Sequence, residues 1–352
     1  MIVRFAVLAI VLVLADIVPI PLSRALVQFG NAEFSAGNVS LGSASYNLAV
    51  YLNYDLAGAL SQCVADEEQK QYDLAINQCS KVVEIDPNYS AAYYDRGNAY
   101  YNLKKYDQAI ADFTKDVAII PVATRSYINR GVVRMAQGQY DLAIADFTHS
   151  ININPKEPQS YLNRGLSYIA QGQNDLAILD CDKAIELESN SWNPYFCLGE
   201  AYDAQEKFDL ALTNYDKSIE LNPGVAIAYS NRGSIFDTQG KKDLAIADFT
   251  KAIETDPSFL DAYIQRGNGF ADTKQFDQAI SDYQKAIGLN PDPKASSYIY
   301  CVLGITYTKM GNFSAAFTSL ELGVKFDSIN QYDWCKSALE NAQQGSPTRP
   351  TY

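Results

Sequence analysis

Apolar and small residues in this chain fall at helical spacings, and the spacing then repeats itself. In the stretch that begins at Ser90, Tyr93, Arg96, Gly97 and Tyr100 sit three or four residues apart, on one face of a helix. Leu103-Lys104-Lys105 reads as a turn, and Tyr106, Ala109, Ile110, Phe113 and Val117 mark the apolar face of a second helix. The pattern returns every 34 residues: Gly97, Gly131, Gly165, Gly199, Gly233 and Gly267 keep that period, as do Ala109, Ala143, Ala177, Ala211, Ala245 and Ala279. Gly304 and Ala316 follow after three extra residues around Pro293 to Ser296. Pro87, Pro121, Pro155, Pro223, Pro257 and Pro291 close the pairs, and Ser189 stands in for one of them. A proline there stops one helix and clears the way for the next.

The period predicts an all-α stack of about eight helix pairs over residues 56–343, a helix-turn-helix solenoid. Its pairs start at Leu56, Ser90, Thr124, Pro158, Trp192, Ala226, Leu260 and Ser297. Small residues at the Gly97 and Ala109 places let two backbones approach, with Phe113 filling the space beside them. Asp107, Asp141, Asp175, Asp209, Asp243 and Asp277 occupy the first turn of each second helix, where negative charge suits the helix dipole. Tyr332 to Gln343 reads as one further helix without a partner, as expected of a cap. Residues 26–55, rich in Gly, Ser and Asn, read as a linker, and residues 344–352 as a disordered tail.

The motif Tyr-x-x-Arg-Gly-x-x-Tyr, then Tyr-Asp-x-Ala-Ile-x-Asp-Phe, then Pro, resembles the tetratricopeptide repeat family from about Leu56 to Asn341. The resemblance implies a right-handed superhelix whose first helices line a concave groove for a protein partner or an extended peptide. It implies a binding scaffold rather than an enzyme, with no cofactor. Lys and Arg are scarce at the groove places, so the pattern departs from the family's carboxylate clamp for chaperone tails. The architecture by itself does not choose a partner.

Charge narrows the picture. A net charge of −13 argues against nucleic acid, which needs clustered Lys and Arg. Arg96, Arg130, Arg164, Arg232 and Arg266 precede the glycine in five repeats, and the same repeats carry Asp112, Asp146, Asp180, Asp248 and Asp282 in the second helix. The other three carry Gln62 with Gln78, Leu198 with Asn214, and Leu303 with Ser319. Charges that come and go together predict ion pairs between the two helices of a repeat. The alternative is an arginine row for an anionic ligand.

Within the predicted groove, the place before Arg-Gly holds Asp95, Asn129, Asn163, Cys197, Asn231 and Gln265. Side-chain amides can donate to and accept from a peptide backbone. Asn129, Asn163 and Asn231 match the asparagine ladder in the repeat domain of O-linked N-acetylglucosamine transferases, and Cys197 breaks the row. Ile128, Leu162, Val132 and Leu166 are the apolar neighbours expected beside them, giving way to acidic character toward Glu200, Asp203 and Asp237. The opposing reading makes the amides polar filler.

Catalytic and metal-binding patterns do not emerge. The single histidine, His149, reads as a surface residue, and no paired-histidine, Cys-x-x-Cys, phosphate-loop or Gly-x-Ser-x-Gly pattern is present. The six cysteines carry more. Cys63 and Cys79 stand at the touching Gly and Phe places of the first repeat and are expected to form a disulfide; two buried free thiols are the alternative. Cys181 and Cys197 join one repeat to the next at the same separation, whereas Cys301 and Cys335, on successive first helices, are not expected to pair. The apolar run Phe5 to Ala15, with Ser23-Arg24-Ala25 after it, reads as a cleaved export signal over residues 1–25. Export to a periplasm or the exterior follows; the alternatives are a retained run that anchors the chain to a membrane as an assembly factor of an envelope complex, or a regulatory subunit of an enzyme.

Overall fold

The computed structural model describes residues 59–327 and 332–345. The expected signal or anchor, the linker and most of the tail lie outside the described residues. Everything described is helix, turn or loop, with no strand among the described residues. Two compact units are present, one ending at Gln173 and the other beginning at Asn174.

The first unit pairs residues 59–68 with Tyr72–Ile85, Ser90–Asn102 with Tyr106–Ile119, and Thr124–Ala136 with Tyr140–Ile153, and it closes on Pro158–Ala170. The second opens on Asn174–Leu187, then pairs Asn193–Asp203 with Phe208–Leu221, Ala226–Thr238 with Lys242–Thr255, and Leu260–Asp272 with Phe276–Gly288. Pro293–Lys309 pairs with Phe313–Phe326, and Asp333–Gly345 is the terminal helix. The eighth repeat begins at Pro293, earlier than the expected Ser297. Its extra residues add a helical turn at the front, capped by the Asp292 carboxylate, which accepts from the Ala295 N–H at 2.9 Å.

Each turn inside a helix pair is closed the same way. One residue takes a left-handed conformation, with φ of +72° at both Gly138 and Gly172 and +73° at Gly240. The residue after it donates to a carbonyl five residues back, as Gln139 N–H does to Arg134 O at 2.8 Å. Lys104, Glu206 and Lys274 hold that conformation where glycine is missing, at the cost of backbone strain.

The small–aromatic contact predicted from the period is formed. A Cβ placed on Gly131 would come within 2.6 Å of the Phe147 ring, and one on Gly97 within 2.8 Å of Phe113. Phe113, Phe147, Tyr215, Phe249 and Tyr283 are therefore buried almost completely. Between repeats, Gln171 donates to Asp141 at 2.7 Å and Gln205 to Asp175 at 2.8 Å. Asp107, Asp141 and Asp175 thus tie neighbouring repeats together as well as meeting the helix dipole.

Arg96, Arg130, Arg232 and Arg266 each grip their expected aspartate through two nitrogens, at 2.6–3.0 Å. Each guanidinium also lies over the tyrosine three residues earlier, 5.3–5.9 Å from the ring centre. Arg134 joins Arg130 on Asp146 at 2.6 Å.

All six cysteines are paired. Cys63–Cys79 forms as expected with a Cα separation of 5.4 Å, and Cys181–Cys197 with 6.1 Å. Cys301–Cys335 also forms, with a Cα separation of 5.5 Å, which corrects the expectation that it would not. Gly323 supplies the reason. A Cβ there would meet the Cys301 sulfur at 2.5 Å and the Cys335 sulfur at 3.2 Å, so its missing side chain leaves the space that the bridge fills.

Candidate functional site

Along the first helices, the place before Arg-Gly is where repeats meet. Asn129 donates from Nδ2 to Asn98 Oδ1 at 2.8 Å and lies 3.3 Å from the Tyr94 hydroxyl, both on the preceding first helix. Its own Oδ1 is left to accept. Asn163 is buried, with 6% of its surface exposed; its Oδ1 accepts from Gln159 at 3.3 Å and its Nδ2 has no partner. Asn231 donates to the Tyr215 hydroxyl at 3.4 Å, and Gln265 is exposed. Two of the four amides are therefore tied to the preceding repeat.

The apolar candidates divide. Val132 and Leu166 are half-buried and offer surface beside the amides. Ile128 and Leu162 are core residues, only 7% and 5% exposed, and Ile128 packs with Ala143 and Phe147. Three residues before the glycine, the helix turns its side chain inward, so these two present little surface to a ligand.

Two acidic stations went unread or half-read in the sequence. In the first unit, burial first and then the Asp95 charge push the Glu67 carboxyl up to about 7, while the Asn98 amide pulls the other way. Asp95 itself is pushed up to about 6, by burial and then by the Asp116 charge. Asp116 is buried between the hydroxyls of Ser90 and Ser126. In the second unit, burial and then Asp203 push Glu200 up to about 7. The 34-residue register puts Glu67 and Asp203 at the same place of their repeats, which was the available signal for the first station.

Elsewhere the chemistry is quiet. His149 is exposed and stacks on Tyr127, with ring centres 5.3 Å apart. Arg96, Arg130, Arg232 and Arg266 are held by carboxylates, which disfavours the arginine row as an anion site. No group of three or more potential ligands for a metal occurs among the described residues, and none of their helices is long and apolar enough to cross a membrane.

Comparisons with known proteins agree with the geometry. Tetratricopeptide repeat family models match residues 158–191, 226–259 and 260–293, and also 90–121 and 192–225; a TPR repeat model matches 67–104 and 131–172. No curated relative matches the sequence. Among solved structures, a tetratricopeptide repeat protein from Parabacteroides merdae is similar at 18% identity and a TM-score of 0.60, covering 72% of this chain and 99% of that one. A chain of the APC/C hetero-tetramer Cut9–Hcn1 matches at 17% identity and a TM-score of 0.59, covering 77% of this chain, which spans only 52% of that one. Pseudomonas aeruginosa pilF matches at 12% identity and a TM-score of 0.55, covering 64% of this chain and 98% of that one. At these identities the likeness speaks to the fold. The family matches, the 34-residue period and the glycine-on-aromatic contacts agree, and the chain belongs to the tetratricopeptide repeat family.

Proposed function

We propose that this protein is a binding scaffold that holds an extended segment of a partner protein along the face formed by its first helices. The observation that carries the reading is the unpaired Asn163 Nδ2, a buried donor standing in a row of amides beside Val132 and Leu166. A buried donor without a partner costs about 1–3 kcal/mol, and a peptide carbonyl would remove that cost. Gln159, exposed and bonded to the same amide, is the side chain that would swing aside. The Asn129 Oδ1, left open by the bond to Asn98, would accept a backbone N–H of the same segment.

The test is affinity capture of a partner, followed by titration against variants. Asn129→Ala with Asn163→Ala should weaken binding at least tenfold, while Lys183→Ala on a second helix should leave it unchanged. A partner indifferent to the double variant but sensitive to Lys183→Ala would overturn the reading. The same proposal puts the protein in an oxidising compartment, supported by three disulfides and by the run Phe5 to Ala15. Mass spectrometry of the mature chain tests it: a start at Leu26 means cleavage and export, and a retained run means a membrane-anchored scaffold.

A further inference from the structure

We infer that the bound segment is basic, and that one of its lysine or arginine side chains is held between the carboxylates of Glu200 and Asp203. This rests on the first-helix face being the binding face. Glu200 and Asp203 are three residues apart on the helix Asn193–Asp203, so they project on one side, and both are half-buried. Several other carboxylates of this unit have a cation. Asp248 and Asp216 share Arg232, Asp282 has Arg266, and Asp237 and Asp272 share Lys242. Glu200 and Asp203 have none. Their own repeat carries Leu198 where five others carry arginine, and the nearby Lys207 lies over the Tyr202 ring at 6.0 Å instead.

The surroundings suit a long cationic side chain. The Phe196 and Tyr215 rings, 5.8 Å apart, offer an apolar wall for its methylene stem. The buried Tyr215 hydroxyl, from the second helix of the repeat, and the Asn231 amide bonded to it, from the next first helix, are the polar groups closing the far side. Burial first, then the Asp203 charge and more weakly that of Glu200, push the Tyr215 hydroxyl up, while the Asn231 amide pulls the other way. Burial holds Glu200 near neutrality, and an incoming cation would replace its proton.

A second, separate feature has the same chemistry. Between the seventh and eighth repeats lies a recess of about 270 Å³, lined by Asp261 and Asp292 together with Tyr298 and Tyr332. Lys294 also lines it, so one cation already stands opposite the two acids. Asp292 spends one oxygen on its helix cap, leaving the other open. Carboxylates accept a guanidinium or an ammonium, and an aromatic face beside them adds to the attraction. The net charge of −13 steers such a segment toward the protein.

The experiment pans a phage-displayed random dodecapeptide library against the full chain at pH 8 and moderate salt, then titrates the enriched peptides. Expected are peptides rich in Lys and Arg, weakened tenfold or more by Glu200→Gln with Asp203→Asn, and weakened as pH falls to 5.5 for the native protein only. The pair Glu186→Gln with Glu220→Gln removes the same charge from exposed second-helix positions and should change affinity less than twofold. Enriched peptides without basic residues, lost on Asn129→Ala with Asn163→Ala, would overturn this inference and leave the groove reading standing. Basic peptides weakened equally by both charge-removing pairs would overturn it as bulk attraction. Peptides indifferent to every substitution on the first helices would overturn both readings.

Discussion

Asp146 accepts from two arginines at once, and its side chain is only 4% exposed. Removing it would leave Arg130 and Arg134 facing each other with no counter-charge, a situation that costs about 3–5 kcal/mol at buried pairs. Denaturant unfolding of Asp146→Ala should show a loss of that size, and a cycle with Arg130→Ala should show positive coupling. This pairing was legible in the sequence, because arginine and aspartate vanish from the same repeats. The depth of Glu67 was not legible, since periodicity gives a face without giving its depth. Its folded pKa of about 7 lies above the ordinary 4.5, so the folded state holds the proton more tightly. Stability from this group is therefore present at low pH and lost as pH rises through 7. Glu67→Gln, which never ionises, should melt at a higher temperature than the native protein at pH 8, with the gap closing toward pH 4.5. An unchanged gap across that range would mean that Glu67 is solvated. The burial of Ile128 and Leu162 was hidden for the same reason, because one residue of helical rotation separates a groove wall from a core.

At the scale of the helix pair, nearly everything was readable. Glycine, alanine and an aromatic recur at fixed places because two helices can cross closely only where one presents no side chain. Gly131 and Gly138 separate the two reasons for a glycine. Gly131 is helical and pressed on Phe147, so Gly131→Leu must displace a buried ring and should destabilise by about 1–3 kcal/mol or more. Gly138 has open space around it but a φ of +72°, so Gly138→Ala should cost only about 1–2 kcal/mol, through the backbone alone. A larger loss at Gly138 than at Gly131 in thermal unfolding would contradict this division. The element-scale miss was Cys301–Cys335. The repeat register spaces successive first helices apart, but it carries no information about Gly323 on the helix between them.

Two kinds of clamp are spread over the repeats. The repeats that hold a buried Arg–Asp grip, the second, third, sixth and seventh, have no disulfide among their described residues. The first, fifth and eighth, which lack that arginine, each contain a cysteine of a bridge, Cys63–Cys79, Cys181–Cys197 and Cys301–Cys335, while the fourth has Arg164 and Asp180 at those places and also supplies Cys181. The complementarity was written in the sequence, but only the charge half of it could be read before the third bridge was seen. A helical array is stabilised repeat by repeat and through neighbouring interfaces, so losing a clamp should act locally rather than on the array as a unit. Each bridge closes a loop of 16 or 34 residues, worth about 3–4 kcal/mol by loop entropy. Replacing all six cysteines by alanine should therefore speed hydrogen exchange by on the order of a hundredfold for amides that open locally in residues 59–85, 174–203, 293–327 and 332–345. Residues 90–153 and 226–288, held by arginine, should keep most of their protection. The exposed surface ion pairs are too weak to confuse the outcome, since each contributes under about 1 kcal/mol. Uniform loss of protection along the chain would show that the array unfolds as one body, and the distribution of clamps would then have no local meaning.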